Sequence, residues 1–313
     1  MENKILGIHH ITAIAGDVQC NYDFYTQVLG LRMVKKTVNF DDPGTYHLYY
    51  GDEVGSPGSI LTFFPWGNRV NKGKTGTGMA TEIGYSVPKG SIGFWEERLK
   101  EFDVAHQPKG ERFGEQFLQL SDRDGLVLNI IEPSITDERK PWTTDQIKEG
   151  VATKGFHSVV LTVKNSEATA KVLTDIFGYK LLSQEGNRYR FITDAANAAN
   201  IVDVVEDPNG ARGINAGGTN HHVAFRVKNE EVQMQLREKI LSAGHNITPK
   251  IDRNYFYSLY FREPGGVLFE IATDNPGFAV DEPVNELGTH LKLPPQYEES
   301  REIIEQTLPT LVQ

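Results

Sequence analysis

Two adjacent-histidine pairs and one strand-borne glutamate are the residues of this chain best suited to chemistry. Residues 7–17 read GIHHITAIAGD and residues 219–229 read TNHHVAFRVKN, each a His-His pair in an alternating, β-branched-rich run that ends in Asp17 or Asn229. A third stretch, GFHSVVLTVKN at 155–165, keeps the frame but carries Ser158 where the second histidine would stand. Downstream, EPGGVLFEI places Glu270 inside another strand-like run. Two imidazoles and one carboxylate are the ingredients of the facial triad that holds non-haem Fe(II) and leaves coordination positions open. A lone histidine on an apolar strand is more often a satisfied interior residue. Recurrence at equivalent positions changes that balance, as does a carboxylate set among Leu268, Phe269 and Ile271, because an unpaired buried carboxylate is costly. His10, His222 and Glu270 are therefore the expected metal ligands.

The elements that position them repeat. The first unit reads as a strand (6–15), a helix (about 18–29) and three strands (about 31–39, 45–51 and 58–65). Val18, Tyr22, Tyr25, Val28 and Leu29 fall at helical spacing, and Gly30 sits where a left-handed cap would end the helix. The third unit matches, with Ser166 the expected cap of a helix ending at Phe177-Gly178. The fourth has a strand at 221–227, a helix at about 230–243 and strands near 246–252, 256–262 and 267–273. In the second, Thr81–Val87 alternates, Ser91 is the expected cap of FWEERLKEF, and GLVLNII at 125–131 closes the unit. The expectation is an α+β fold of four βαβββ modules forming two incomplete barrels. It divides into an N-terminal pair (1–133), a polar linker (134–154), a C-terminal pair (155–275) and a tail (276–313) with one short helix.

Aligning the units by first strand puts His10, Glu82, Ser158 and His222 at one position. Aligning by the glycine before the last strand puts Thr62, Asn129 and Glu270 at another; in the third unit this alignment does not place the position, and Asp203 is the nearest carboxylate. Units one and four thus supply the ligands, so a cup built from two units must bring those two together. Strand alternation points His9 and His221 away from their neighbours and keeps Thr12 on the metal face.

The βαβββ pattern resembles the vicinal oxygen chelate superfamily over essentially the whole chain. GIHHIT, NHHVAF, PWTTD at 141–145 and LPPQYEESREIIEQTLP near the end are similar, more narrowly, to the hydroquinone ring-cleaving dioxygenases. The resemblance implies an Fe(II)-dependent enzyme that inserts O2 into a hydroquinone-type ring, with Mn(II) suiting the same ligands. It implies that His9, His221 and Tyr260 act as acids or bases in the pocket, the first two against bare alternation, which a bulge would reconcile. It also implies that Thr12 and Arg253 bind substrate. Zinc is disfavoured because Thr62 stands where the second carboxylate of a four-ligand glyoxalase cup would be. Within the superfamily the rival readings are a catechol extradiol dioxygenase and a metal-free protein that sequesters an aromatic ligand. His47, His106, His245 and His290 receive no role, and the aromatic runs FFPW (63–66) and NYFYSLYF (254–261) read first as core, with some rings available to a flat pocket.

The totals narrow the setting. With 39% hydrophobic and 24% charged residues the chain is globular, and a net charge of −10 argues against nucleic-acid or anionic-membrane partners. Cys20 is the only cysteine, so no intrachain disulfide forms. No signal peptide and no membrane-length apolar run is expected. The setting read is a cytoplasmic protein acting on a small aromatic molecule, with oligomeric state left open, a homo-oligomer included.

Overall fold

The computed structural model describes residues 5–313. Four βαβββ modules build two eight-stranded sheets, each combining one module from either side of the 134–154 segment. The first sheet runs, edge to edge, Ile251–Asp252, Phe256–Arg262, Leu268–Pro276, Thr219–Val227, Ile8–Ala15, Ile60–Pro65, Asp42–Gly51 and Arg32–Asn39. Modules four and one share it, the pairing that the ligand positions require. The second joins modules three and two in the order Lys180–Glu185, Arg188–Ile192, Ile201–Glu206, Phe156–Val163, Met79–Ser86, Val127–Glu132, Glu115–Ser121 and Gly110–Arg112. This is the expected α+β architecture of two incomplete barrels.

In both sheets the first strands of two modules meet antiparallel at the centre, and each pairs parallel with the last strand of its own module. The Asp or Asn recurring at the end of three first strands is a helix cap. Asp17, Asn165 and Asn229 accept hydrogen bonds from the backbone amides of Cys20, Glu167 and Val232, satisfying donors that the first helical turn leaves free. This corrects the expected cap at Ser166, whose hydroxyl donates instead to Glu206 at 2.7 Å. Ser91 precedes its helix (Ile92–Glu101) but makes no side-chain cap; Glu132 accepts from the Ile92 amide at 2.9 Å. The module-one and module-three helices widen into π-type turns at Phe24–Val28 and Val172–Ile176. In module four the strand expected near 246–252 shrinks to Ile251–Asp252.

The tail folds over its own module one. Tyr297 donates its hydroxyl to the Phe40 carbonyl at 2.7 Å, and Lys292 N–H donates to the Lys36 carbonyl at 2.9 Å. Beneath it Lys35, with no exposed surface, pairs with Asp281 at 2.6 Å and with Glu282. Removing one side of a buried pair costs about 3–5 kcal/mol, so this contact holds the tail firmly. The tail helix runs Arg301–Thr307. Among the described residues no helix is long and apolar enough to cross a membrane.

Candidate metal centre and its pocket

Three neighbouring strands of the first sheet carry the two histidines and the glutamate. Thr12 sits opposite His222 and Ala224 opposite His10, while Glu270 aligns with Ala224 on one side and Tyr260 on the other. Donor atoms of His10, His222 and Glu270 all lie within 4.8 Å of one another, and all three side chains are buried. Glu270 Oε2 stands 3.2 Å from His10 Nε2 and 2.9 Å from His222 Nε2.

The donor set fits a cation. His222 Nε2 and Glu270 Oε2 are buried and neither has an aligned hydrogen-bond partner, although they stand so close. Unsatisfied buried polar atoms cost about 1–3 kcal/mol each, and an ion at their common focus would satisfy both. The other carboxylate oxygen is occupied, since Ser258 donates its hydroxyl to Oε1 at 2.5 Å. Sequence reasoning passed over Ser258; its one signal was a small polar residue two positions before Tyr260 inside an aromatic run. Burial opposes the Glu270 charge, yet the adjacent imidazoles hold the carboxyl well below its usual range. Burial lowers His222 against the pull of Glu270, so the set presents an anion and a neutral ring.

His9 and His221 owe their placement to two bulges. Between Ile8 and His10 the first strand advances two residues against one on its partner, leaving His9 as the extra residue; between Thr12 and Ala13 the partner does the same at His221. A bulge breaks strict alternation, so both rings turn toward the ligands. His9 Nδ1 meets His10 Nδ1 at 2.9 Å, and His221 Nδ1 meets His222 Nδ1 at 2.8 Å. Two nitrogens at that distance share one proton. A cation on Nε2 of a ligand ring requires its proton on Nδ1, so each ligand histidine would donate to its neighbour, fixing tautomer and ring orientation. His221 also faces the pocket, whereas His9 stands behind His10, packed on Phe256. The same bulges recur in the second sheet at Thr81 and His157.

A cavity of about 250 Å³ opens over the centre, lined by His10, Thr12, His47, Phe64, Trp66, His221, His222, Arg253, Phe256 and Tyr260 among others. A cavity of about 150 Å³ already holds benzene, so a substituted ring fits. Phe64 and Trp66 of the FFPW run face the cavity while Phe63 is wholly buried in the core. Arg253 places its guanidinium 5.7 Å from the Tyr260 ring centre and 3.6 Å from Asp41. Burial, then the Glu270 charge, push the Tyr260 phenol up, against the pull of Arg253. Thr12 accepts a hydrogen bond from the Thr62 hydroxyl at 3.0 Å, and Thr62 also meets His47 Nε2 at 2.9 Å. His47, which the sequence reading left without a role, is thus part of this site.

The second sheet shows what became of the equivalent cup. Its register aligns Asp203 with Val160, two residues past Ser158, just as Glu270 aligns two past His222. Ala199 takes the place of the missing glycine, adopting φ +51° where Gly58, Gly125 and Gly266 adopt +91°, +101° and +100°. Guanidinium groups neutralise the carboxylates there. Arg188 reaches Glu82 at 2.8 Å, Arg112 reaches it at 3.1 Å, and Arg190 clasps Asp203 at 2.9 and 3.0 Å.

Sheet order and donor set together define a paired-module fold with one metal-type cup. The chain belongs to the glyoxalase/bleomycin resistance protein/dioxygenase superfamily, whose family model matches residues 7–129 and 155–271. It is 48% identical over 308 residues to a Bacillus subtilis (strain 168) protein provisionally named ring-cleaving dioxygenase MhqO, covering 98% of this chain and 97% of that one. It is 34% identical over 303 residues to the chlorohydroquinone/hydroquinone 1,2-dioxygenase of Sphingobium indicum, covering 95% and 94% of the two chains. The crystal structure of a provisionally named dioxygenase from Bacillus subtilis superposes with a TM-score of 0.94 at 47% identity, covering 99% of this chain and 98% of the other.

Proposed function

We propose that this protein is an Fe(II)-dependent dioxygenase that inserts O2 into, and opens, a hydroquinone-type aromatic ring. Relatives named as ring-cleaving dioxygenases along nearly the whole chain support the broader assignment, a ring-cleaving oxidoreductase. The observation that carries the finer one is the convergence of three donors, and not four, at the floor of an aromatic-walled cavity, with Thr62 at the fourth ligand's position. His10, His222 and Glu270 would hold the ion, and Mn(II) suits the same atoms. When bound, such an ion lowers the pKa of a ring hydroxyl and couples the ring's electrons to O2.

The chain's own groups do the rest. Phe64, Trp66 and Phe256 hold a flat ring and keep water from it. The Thr12 hydroxyl donates to a substrate oxygen, and Arg253 favours that oxygen as an anion. His221 and Tyr260, both on the cavity wall, exchange protons with the substrate. His9 acts through His10, by orienting it. A small aromatic substrate and a cytoplasmic setting complete the proposal.

Protein loaded anaerobically with Fe(II) and given methylhydroquinone is expected to consume O2, and Glu270→Ala to lose that uptake. Uptake with catechol alone would move the reading to extradiol cleavage. Ring binding without uptake by the iron-loaded protein would leave only a binding function.

A further inference from the structure

We propose that His47 is a positioning residue that aims the Thr12 hydroxyl into the cavity through Thr62; the inference rests on the reading of Thr12 as the donor to a substrate oxygen. His47 stands on Asp42–Gly51, across from Thr62-bearing Ile60–Pro65. Its ring packs against those of Tyr49 and Phe64, at centroid distances of 4.1 and 4.3 Å. Both contacts are tilted, at 35° and 41° between ring planes, and they pack the imidazole in the wall of the site. Each ring nitrogen has one partner: Nδ1 meets the Tyr49 hydroxyl at 2.9 Å and Nε2 meets Thr62 Oγ1 at 2.9 Å.

The directions of these bonds follow from what each group can do. Burial, then the nearby His10 and His222, hold His47 neutral, so it has one N–H and one lone pair. Tyr49 is buried and its phenol, a good donor, has only His47 Nδ1 as a hydrogen-bond partner among the described residues. Its proton therefore goes to Nδ1, which leaves the His47 proton on Nε2. That N–H donates to Thr62, and Thr62 donates in turn to Thr12 at 3.0 Å. The run Tyr49, His47, Thr62, Thr12 has a single polarity. It ends on a Thr12 hydroxyl whose oxygen is already an acceptor and whose own proton is left for the cavity that Thr12 lines. Thr62 holds the place of Glu270 in module one, so the position of a fourth ligand carries the middle link of this chain instead.

Two measurements test the proposal. In the metal-free protein, imidazole nitrogen NMR should find His47 as the neutral Nε2–H tautomer, retained in Thr62→Ser and disturbed in Thr62→Val. An Nδ1–H tautomer in the wild type overturns the inference, whether or not the enzyme cleaves hydroquinones. In steady-state O2 uptake with methylhydroquinone, Thr62→Val and His47→Leu should each lower kcat/KM about tenfold, the worth of one aimed hydrogen bond. The double variant should fall no further, because both break the same chain. Thr62→Ser and His47→Gln, which keep a donor at the right atom, should recover most of the loss. Losses that multiply in the double variant, or a Thr62→Val protein with wild-type kinetics, would show that His47 acts on its own or not at all. Near-ultraviolet circular dichroism of each variant separates these results from misfolding. Absence of uptake by the wild type would instead count against the ring-cleavage reading, leaving the tautomer result to decide this one.

Discussion

Glu270→Gln keeps the volume of the side chain and an acceptor for Ser258 but removes the only charged donor of the cup. The consequence can be sized. All three donors are preformed, buried and within 4.8 Å, so binding orders little of the chain and its free energy appears as stability. An ion at a hundred times its dissociation constant adds about 2.7 kcal/mol. For 313 residues, an unfolding entropy of about 2.1 cal/mol/K per residue gives roughly 0.7 kcal/mol/K, so Tm should rise by about 4 °C. Thermal unfolding followed by circular dichroism, with anaerobic Fe(II) or with Mn(II), reads this directly. The wild type should show the shift and Glu270→Gln should show none at the same ion concentration. An undiminished shift in Glu270→Gln would place the ion elsewhere, and no shift in the wild type with either metal would remove the metal from the reading.

Three further outcomes are expected. Ser258→Ala frees Glu270 Oε1 from its only close hydrogen bond among the described residues and should weaken metal binding about 10- to 100-fold in a competitive chelator titration, while the buried oxygen left without a donor should lower Tm of the metal-free protein by about 2–4 °C. Arg190→Met removes the guanidinium shared by Asp203 and Glu115 in the second cup and should cost about 1–3 kcal/mol in urea unfolding, since Arg188 still faces Asp203 and His157 still faces Glu115, while leaving metal affinity intact; a weaker metal site would mean that the two cups are coupled. Glu115 resists burial through the His157 contact above all, with help from Ser134 and Arg190, and its carboxyl is pulled down to about 2. A depressed carboxyl contributes stability above its unfolded value and loses it as pH falls toward the folded value. Urea midpoints should therefore drop between about pH 4.5 and pH 2, and Glu115→Gln should flatten that slope.

Much of this was legible because a repeat checks itself. Two histidines at one aligned position and a glutamate at another pointed to a shared cup before any strand order was known. The missing members were hidden for local reasons. The third module could not be aligned because Ala199 adopts a backbone conformation that elsewhere in the repeat belongs to glycine. His9 and His221 were ambiguous because a bulge is a property of pairing between distant strands, and alternation within one strand is blind to it. Asp17, Asn165 and Asn229 were visible as a recurring position, but their capping role emerged only with the helix starts. His47 and Ser258 act through partners 15 and 12 residues away, on strands whose register no local pattern records. Arginines at 112, 188 and 190 fill the second cup through pairs with Glu82 and Asp203, 30, 106 and 13 residues away, which no local pattern in the sequence records.

The interleaving of the modules also sets a timetable for synthesis. The second sheet joins consecutive modules, so Met79–Ser86 finds Phe156–Val163 once the middle of the chain has emerged. Ile8–Ala15 must wait for Thr219–Val227, and Glu270 arrives later still. Pairings so far apart in sequence form slowly and leave an edge exposed meanwhile. The half without metal ligands is thereby the part of the molecule free to fold first, as a platform on which the reactive half closes. Pulse proteolysis of ribosome-bound chains arrested when residue 215 has just left the exit tunnel should find the 79–206 region protected and residues 8–65 still cleavable; early protection of the first module would rule this order out.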